Sequence, residues 1–108
     1  MSRVDALLKF IAQAPQDPFP RYALAMEHKN AGRMPEARAA FESLIAACPD
    51  YTASYLHAGN TLVALGDTAA AAAVYRRGID VCARRGDGHA RGEIEGALAA
   101  LGDETTAR

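Results

Sequence analysis

The stretch Gly32-Arg33-Met34-Pro35-Glu36-Ala37-Arg38-Ala39-Ala40-Phe41-Glu42-Ser43-Leu44-Ile45-Ala46-Ala47-Cys48-Pro49 is answered 34 positions later by a second copy of its pattern. Gly66, Ala71, Tyr75, Ile79, Cys82 and Ala83 stand where Gly32, Ala37, Phe41, Ile45, Cys48 and Pro49 stood. Within each copy the apolar residues recur at i, i+4 and i+8, the spacing of one helical face, with a glycine before and a proline or alanine after. A period of 34 is that of a helix-turn-helix unit that cannot bury its apolar face alone and stacks on its neighbours. Such stacks make an extended surface rather than an enclosed pocket, so the work expected of this chain is binding.

Working outward, the same pattern appears once more upstream. Leu7, Phe10, Ile11, Ala14 and Pro15 lie 34 residues before Phe41, Leu44, Ile45, Cys48 and Pro49, so the opening helix copies the second helix of the unit. The spacing predicts helices over about 3–14, about 18–31 with Asp17 as N-cap, from Pro35 to near Cys48, from an Asp50 or Thr52 cap to Leu65, from an Asp67 or Thr68 cap to about Arg84, and a sixth opened by Gly86 and Asp87. Ala90, Ile94, Leu98 and Leu101 mark the apolar face of that last helix, and Gly102 to Arg108 reads as a frayed polar tail. The chain is expected to be one all-α domain over 1–108, with a half repeat at 3–17, whole repeats at about 18–51 and 52–85, and a capping helix at 87–101.

Its 108 residues are 50% hydrophobic and 23% charged, which excludes a disordered chain and suffices to bury roughly two-thirds of the unfolded surface. The alanine-rich run ending at Tyr75 is too short to span a bilayer, and no membrane association is expected. Met1-Ser2-Arg3-Val4-Asp5 lacks the apolar core and cleavage site of a secretory leader, which points to a cytoplasmic protein. Cys48 and Cys82 sit one period apart, on helices whose axes pack about 8 to 10 Å apart or more. That exceeds the Cα separation of about 7 Å that a disulfide tolerates, so both are read as free thiols in a reducing compartment.

Charge offers little toward a polyanion. The net charge of −1 comes from 12 basic and 13 acidic residues mixed along the chain. Arg76, Arg77, Arg84, Arg85 and Arg91 form the densest basic region, but Arg84 and Arg85 fall in a last helical turn, where they complement the helix dipole. No aromatics interleave them, and no nucleic-acid partner is expected. His28, His57 and His89 fall on different helices with no i, i+4 pair, and the cysteines make no CxxC motif. Gly86-Asp87-Gly88-His89 reads as a helix start rather than a phosphate loop. Neither a metal, a cofactor nor a catalytic centre is expected, and the chain is read as a non-enzyme.

On these residues the chain resembles the tetratricopeptide repeat (TPR) family, whose unit places a large aromatic, Leu-Gly, Tyr, Gly, Ala, Phe, a small residue and Pro at set offsets. Leu24, Ala25, Gly32, Ala37, Phe41 and Pro49 match in the first whole repeat; Tyr55, Gly59, Leu62, Gly66, Ala71, Tyr75 and Gly78 match in the second. Arg21, His28, Leu44 and Ala83 depart from it. The chain as a whole is similar to small bacterial proteins of this family. The resemblance implies a right-handed solenoid of about six helices and a protein-binding scaffold or adaptor, whose first helices line a concave groove for a peptide segment of a partner. It points to Phe19, Tyr22, Met26, Lys29, Leu56, His57, Asn60 and Val63 as groove residues, with Arg91 added by the last helix. Tyr22 and Met26 stand where some members carry the Lys and Asn of a carboxylate clamp, so that clamp is not expected here. The alternative expectation is a weakly homo-oligomerising structural module without a peptide client.

Overall fold

The structure, a computed structural model, describes residues 2–106, with side-chain environments through residue 102. It contains α1 (Arg3–Gln13), α2 (Pro18–Asn30), α3 (Met34–Ala47), α4 (Ala53–Ala64), α5 (Thr68–Arg85) and α6 (Gly88–Thr106), with no strand among the described residues. Each helix packs on the next, and α4 also meets α6, giving an elongated stack of 46 × 30 × 18 Å. The fold is the all-helical solenoid expected from the period.

Local chemistry sets the helix ends. Ser2 and Asp5 form a reciprocal capping box at the start of α1, and Pro15 follows its last turn. Asp17 accepts from the Phe19 N–H at 3.0 Å, ahead of prolines in the permissive first turn of α2. Gly32 and Gly66 take φ of +80° and +81°, the left-handed conformation that lets Arg33 N–H reach the His28 carbonyl and Asp67 N–H reach that of Leu62, both at 2.9 Å. Those closures turn α2 back on α3 and α4 back on α5.

Two sequence expectations are corrected. Thr52 occupies the N-cap of α4, but its side chain makes no cap bond; the hydroxyl instead donates to Asp87 Oδ2 at 2.7 Å, tying the start of α4 to that of α6. The expected frayed tail is helical through Thr106, because nothing after Gly102 breaks the backbone ladder even though the apolar pattern has ended; residues 107 and 108 lie outside the described residues.

The core runs along the seam between helices. Phe41, Leu44, Tyr55, Tyr75 and Ile94 are almost wholly enclosed, and Ala25, Ala37 and Ala71 are fully buried where backbones come close. Two glycines set the tightest contacts. A Cβ at Gly59 would lie 2.1 Å from Tyr75 Cε1, and one at Gly78 would lie 2.5 Å from Tyr55 Cβ, so each tyrosine fills the notch opposite it. The Tyr55 hydroxyl donates to the Pro49 carbonyl and holds down the α3–α4 connection. The opening helix behaves as a half unit: Leu7 is buried like Phe41 and Tyr75, whereas Phe10 is 56% exposed at the position where Leu44 is 0% exposed. No described helix precedes α1 to cover it.

Candidate functional site

Phe19, Tyr22, Met26 and Lys29 fall at i, i+3, i+7 and i+10 on α2, and Leu56, Asn60 and Val63 at i, i+4 and i+7 on α4, so each set shares one face. Between the two helices the structure builds an aromatic run. Phe19 meets Tyr51 edge-on with centroids 6.1 Å apart, Tyr51 meets Tyr22 at 5.7 Å, and Tyr22 meets the His57 ring at 5.8 Å. Phe19 is 67% exposed, and Tyr22 and Met26 are half-buried against the core. Lys29 closes the run, its Nζ 3.4 Å from His57 Nδ1. An ammonium can only donate, so Nδ1 accepts and the neutral ring carries its proton on Nε2.

Burial shifts both groups of that pair. It lowers the pKa of Lys29, and it lowers that of His57 with help from the nearby Lys29 charge, against an opposing pull from Glu93. Burial, then the neighbouring Tyr51, raises the pKa of Tyr22. The His57 and Tyr22 shifts favour the neutral forms of both rings, so the face is apolar apart from Lys29, whose charge burial disfavours.

On the other side of His57, α4 and α6 enclose a cleft of about 310 Å³, with Leu56, His57, Ala90, His89 and Glu93 among its lining residues. Arg91 does not line it. The Arg91 guanidinium lies 3.5 Å from Glu95 on its own helix and near enough to the Cys82 thiol to affect it. The reason is a change of register: the period carries His57 to Arg91, but the N-cap residues Thr52 and Asp87 are 35 apart, and a slip of one residue turns a helix by about 100°. Asp87 caps α6 by accepting from the Ala90 N–H at 3.1 Å, and the Thr52 hydroxyl and that N–H hold its carboxyl below the usual range.

Further along, Asn60 and Val63 line a second cleft of about 290 Å³ with Tyr75, Ala97 and Ala100. Asn60 is only partly available there, since its Oδ1 accepts from the Tyr75 hydroxyl at 2.5 Å. The structure thus brings Phe19, Tyr22, Lys29, Leu56 and His57 together with Tyr51 and Glu93, which the sequence pattern had not marked. Tyr51 sits in a connection with no periodic signal. Glu93 is i+4 from His89, with Oε1 3.3 Å from His89 Nε2, a pairing legible in sequence once the start of α6 is known. Cys48 and Cys82 are both free, and burial raises the Cys82 thiol. Among the described residues no group of three His, Cys, Asp or Glu side chains is placed to hold a metal, and no helix is long and apolar enough to cross a membrane.

Comparison with known proteins places the chain. A family model of the tetratricopeptide repeat matches residues 52–84. The crystal structure of a tetratricopeptide repeat domain protein from Salinibacter ruber is similar at 36% identity and a TM-score of 0.76, covering 81% of this chain and 97% of that one. The chain belongs to the tetratricopeptide repeat family. The fold is shared more widely. The TPR2B domain of yeast Sti1, solved in a complex with pHsp70, aligns with a TM-score of 0.85 at 21% identity, covering 94% of this chain and 81% of that one. The type III secretion translocator chaperone SycD of Yersinia enterocolitica aligns with a TM-score of 0.85 at 12% identity over 95% and 72%. No curated protein matched.

Proposed function

We propose that this chain is a non-catalytic protein-interaction module that holds a peptide segment of a partner protein on the face formed by α2, α4 and α6. The observation that carries this reading is the aromatic run Phe19–Tyr51–Tyr22–His57 ending at Lys29, with its outermost ring 67% exposed. Rings in such a run present apolar area with little side-chain entropy to lose, and full burial of a Phe-sized side chain contributes about 1.5–3 kcal/mol. Lys29 and the free amide hydrogens of Asn60 supply donors for a peptide's carbonyls. The Sti1 and SycD folds, one in a complex and one a chaperone, support a role in binding. Two free thiols agree with a cytoplasmic setting, and the Salinibacter relative with a bacterial one.

The test is affinity capture from the source lysate by the intact chain and by a Phe19→Ala/Tyr22→Ala variant, followed by measured affinities for whatever is retained. A groove partner binds the variant at least tenfold more weakly while circular dichroism stays helical. Equal retention by both proteins removes the face from the account.

A second reading, self-association without a client, is favoured by Leu8 and Phe10, which are 49% and 56% exposed on α1. Sedimentation across a concentration series separates the two. Self-association through this end gives a concentration-dependent mass that Phe10→Glu abolishes; a constant monomer mass rejects it.

A further inference from the structure

We propose that the cleft between α4 and α6 takes the side chain of an arginine or lysine in the bound peptide, with Glu93 as its counter-charge. This rests on the groove reading above and gives it a ligand chemistry. The cleft, about 310 Å³, lies at the small end of ligand pockets and suits one long side chain better than a folded element. Its walls are Ala53, Leu56, Ala90 and Ile94, an apolar sleeve for the methylene stem of a basic residue. The Glu93 side chain, also in the lining, is half-exposed; it lies 3.3 Å from the exposed ring of His89 and near enough to His57 to act on it electrostatically.

The charges around the cleft favour a cation over an anion. Asp87 also lines it; Thr52 and the Ala90 N–H occupy its two oxygens, but its negative charge remains and adds to that of Glu93. Of the nearby cations, Arg91 is paired with Glu95, and Lys29 lies beyond His57 on the α2 side. An acidic side chain in this cleft would face two carboxylates; a guanidinium would meet Glu93 through a charge-assisted bond. Lys29 sets direction, since it repels a second cation on its own side. The basic residue therefore falls on the α6 side of whatever apolar residue stacks on Tyr22 and Tyr51.

The experiment uses the full chain and three blocked, fluorescein-labelled octapeptides, each with a central Leu-Tyr followed by arginine, by its uncharged isostere citrulline, or by glutamate. Fluorescence anisotropy gives each dissociation constant for the wild type, Glu93→Gln and Phe19→Ala, with folding checked by circular dichroism. The arginine peptide binds at least tenfold more tightly than the citrulline peptide, and the glutamate peptide binds most weakly. Glu93→Gln removes most of the arginine preference without weakening the citrulline peptide, whereas Phe19→Ala weakens all three alike. If arginine and citrulline peptides bind equally and Phe19→Ala still weakens both, the cation site is overturned and the groove reading stands. If no peptide binds, or Phe19→Ala changes nothing, both fall.

Discussion

Lys29 on α2 and His57 on α4 meet at 3.4 Å, Nζ to Nδ1, so a side chain from each of two successive repeats shares one half-buried contact. The contact requires a neutral imidazole, because a protonated Nδ1 would present a second positive charge to the ammonium.

That requirement gives stability a pH dependence. Burial and Lys29 lower the pKa of folded His57 below its ordinary 6.5, so in the window beneath 6.5 the unfolded chain binds more protons than the folded one. The His57 contribution is fully present above pH 6.5 and is lost as pH falls through the lowered folded value. Urea midpoints measured from pH 7.5 to 5 should decline, and His57→Gln should flatten the decline. An unchanged slope in that variant would assign the effect elsewhere.

Gly59 and Gly78 face tyrosines of different freedom. A methyl at Gly59 collides with the ring of Tyr75, which is 2% exposed and anchored by Asn60; a methyl at Gly78 collides with Tyr55 Cβ, which moves only if the α4 backbone moves. Overpacking of this kind costs about 1–3 kcal/mol or more, against roughly 1 kcal/mol regained from better helix propensity. Gly78→Ala should therefore lower the unfolding free energy more than Gly59→Ala. The reverse order in urea titrations would mean that the α4–α5 seam yields more easily than the tyrosine ring.

The Tyr75 hydroxyl donates to Asn60 Oδ1. Tyr75→Phe should cost about 0.5–1.5 kcal/mol, the net worth of a typical hydrogen bond. Asn60→Ala on top of Tyr75→Phe should add much less than it does in the wild type, because the shared bond is already gone. Fully additive losses would show that the two side chains act independently.

Asp87 caps α6 and accepts from Thr52, and those bonds depress its pKa below the ordinary 3.8. A depressed carboxylate contributes stability above its unfolded pKa that is lost as pH falls through the folded value. Asp87→Ala should lower the melting midpoint at pH 7 and shrink the difference between pH 5 and pH 3. An unshifted midpoint would show that α6 needs neither the cap nor the tie to α4.

Much of the fold was legible because the repeat is a local code. Ala37, Phe41, Gly59 and Tyr75 can be placed from spacing alone, since a small residue on one helix and a large one on the next decide how closely two backbones approach. The binding face was legible in part. Phe19, Tyr22, Lys29 and His57 converge, but Tyr51 comes from a connection that obeys no period. The family resemblance implies Arg91 as a groove residue of the last helix; the 35-residue spacing of Thr52 and Asp87, against the period of 34, rotates α6 and brings Glu93 to the α4–α6 cleft instead. The sequence offers Asp50 or Thr52 as the cap of α4 and Asn60 as a groove residue. The Thr52 hydroxyl and the Asn60 Oδ1 each have a partner on another helix, leaving the Asn60 amide hydrogens for a ligand, and tertiary contacts of that sort leave no mark in a repeat pattern.

The central claim, that the face of α2, α4 and α6 binds a peptide through its aromatic run, is tested most directly by calorimetric titration of a captured partner segment into the wild type and into Phe19→Ala/Tyr22→Ala. The account predicts a dissociation constant at least tenfold higher for the variant, with an unchanged helical spectrum. Equal dissociation constants would contradict it.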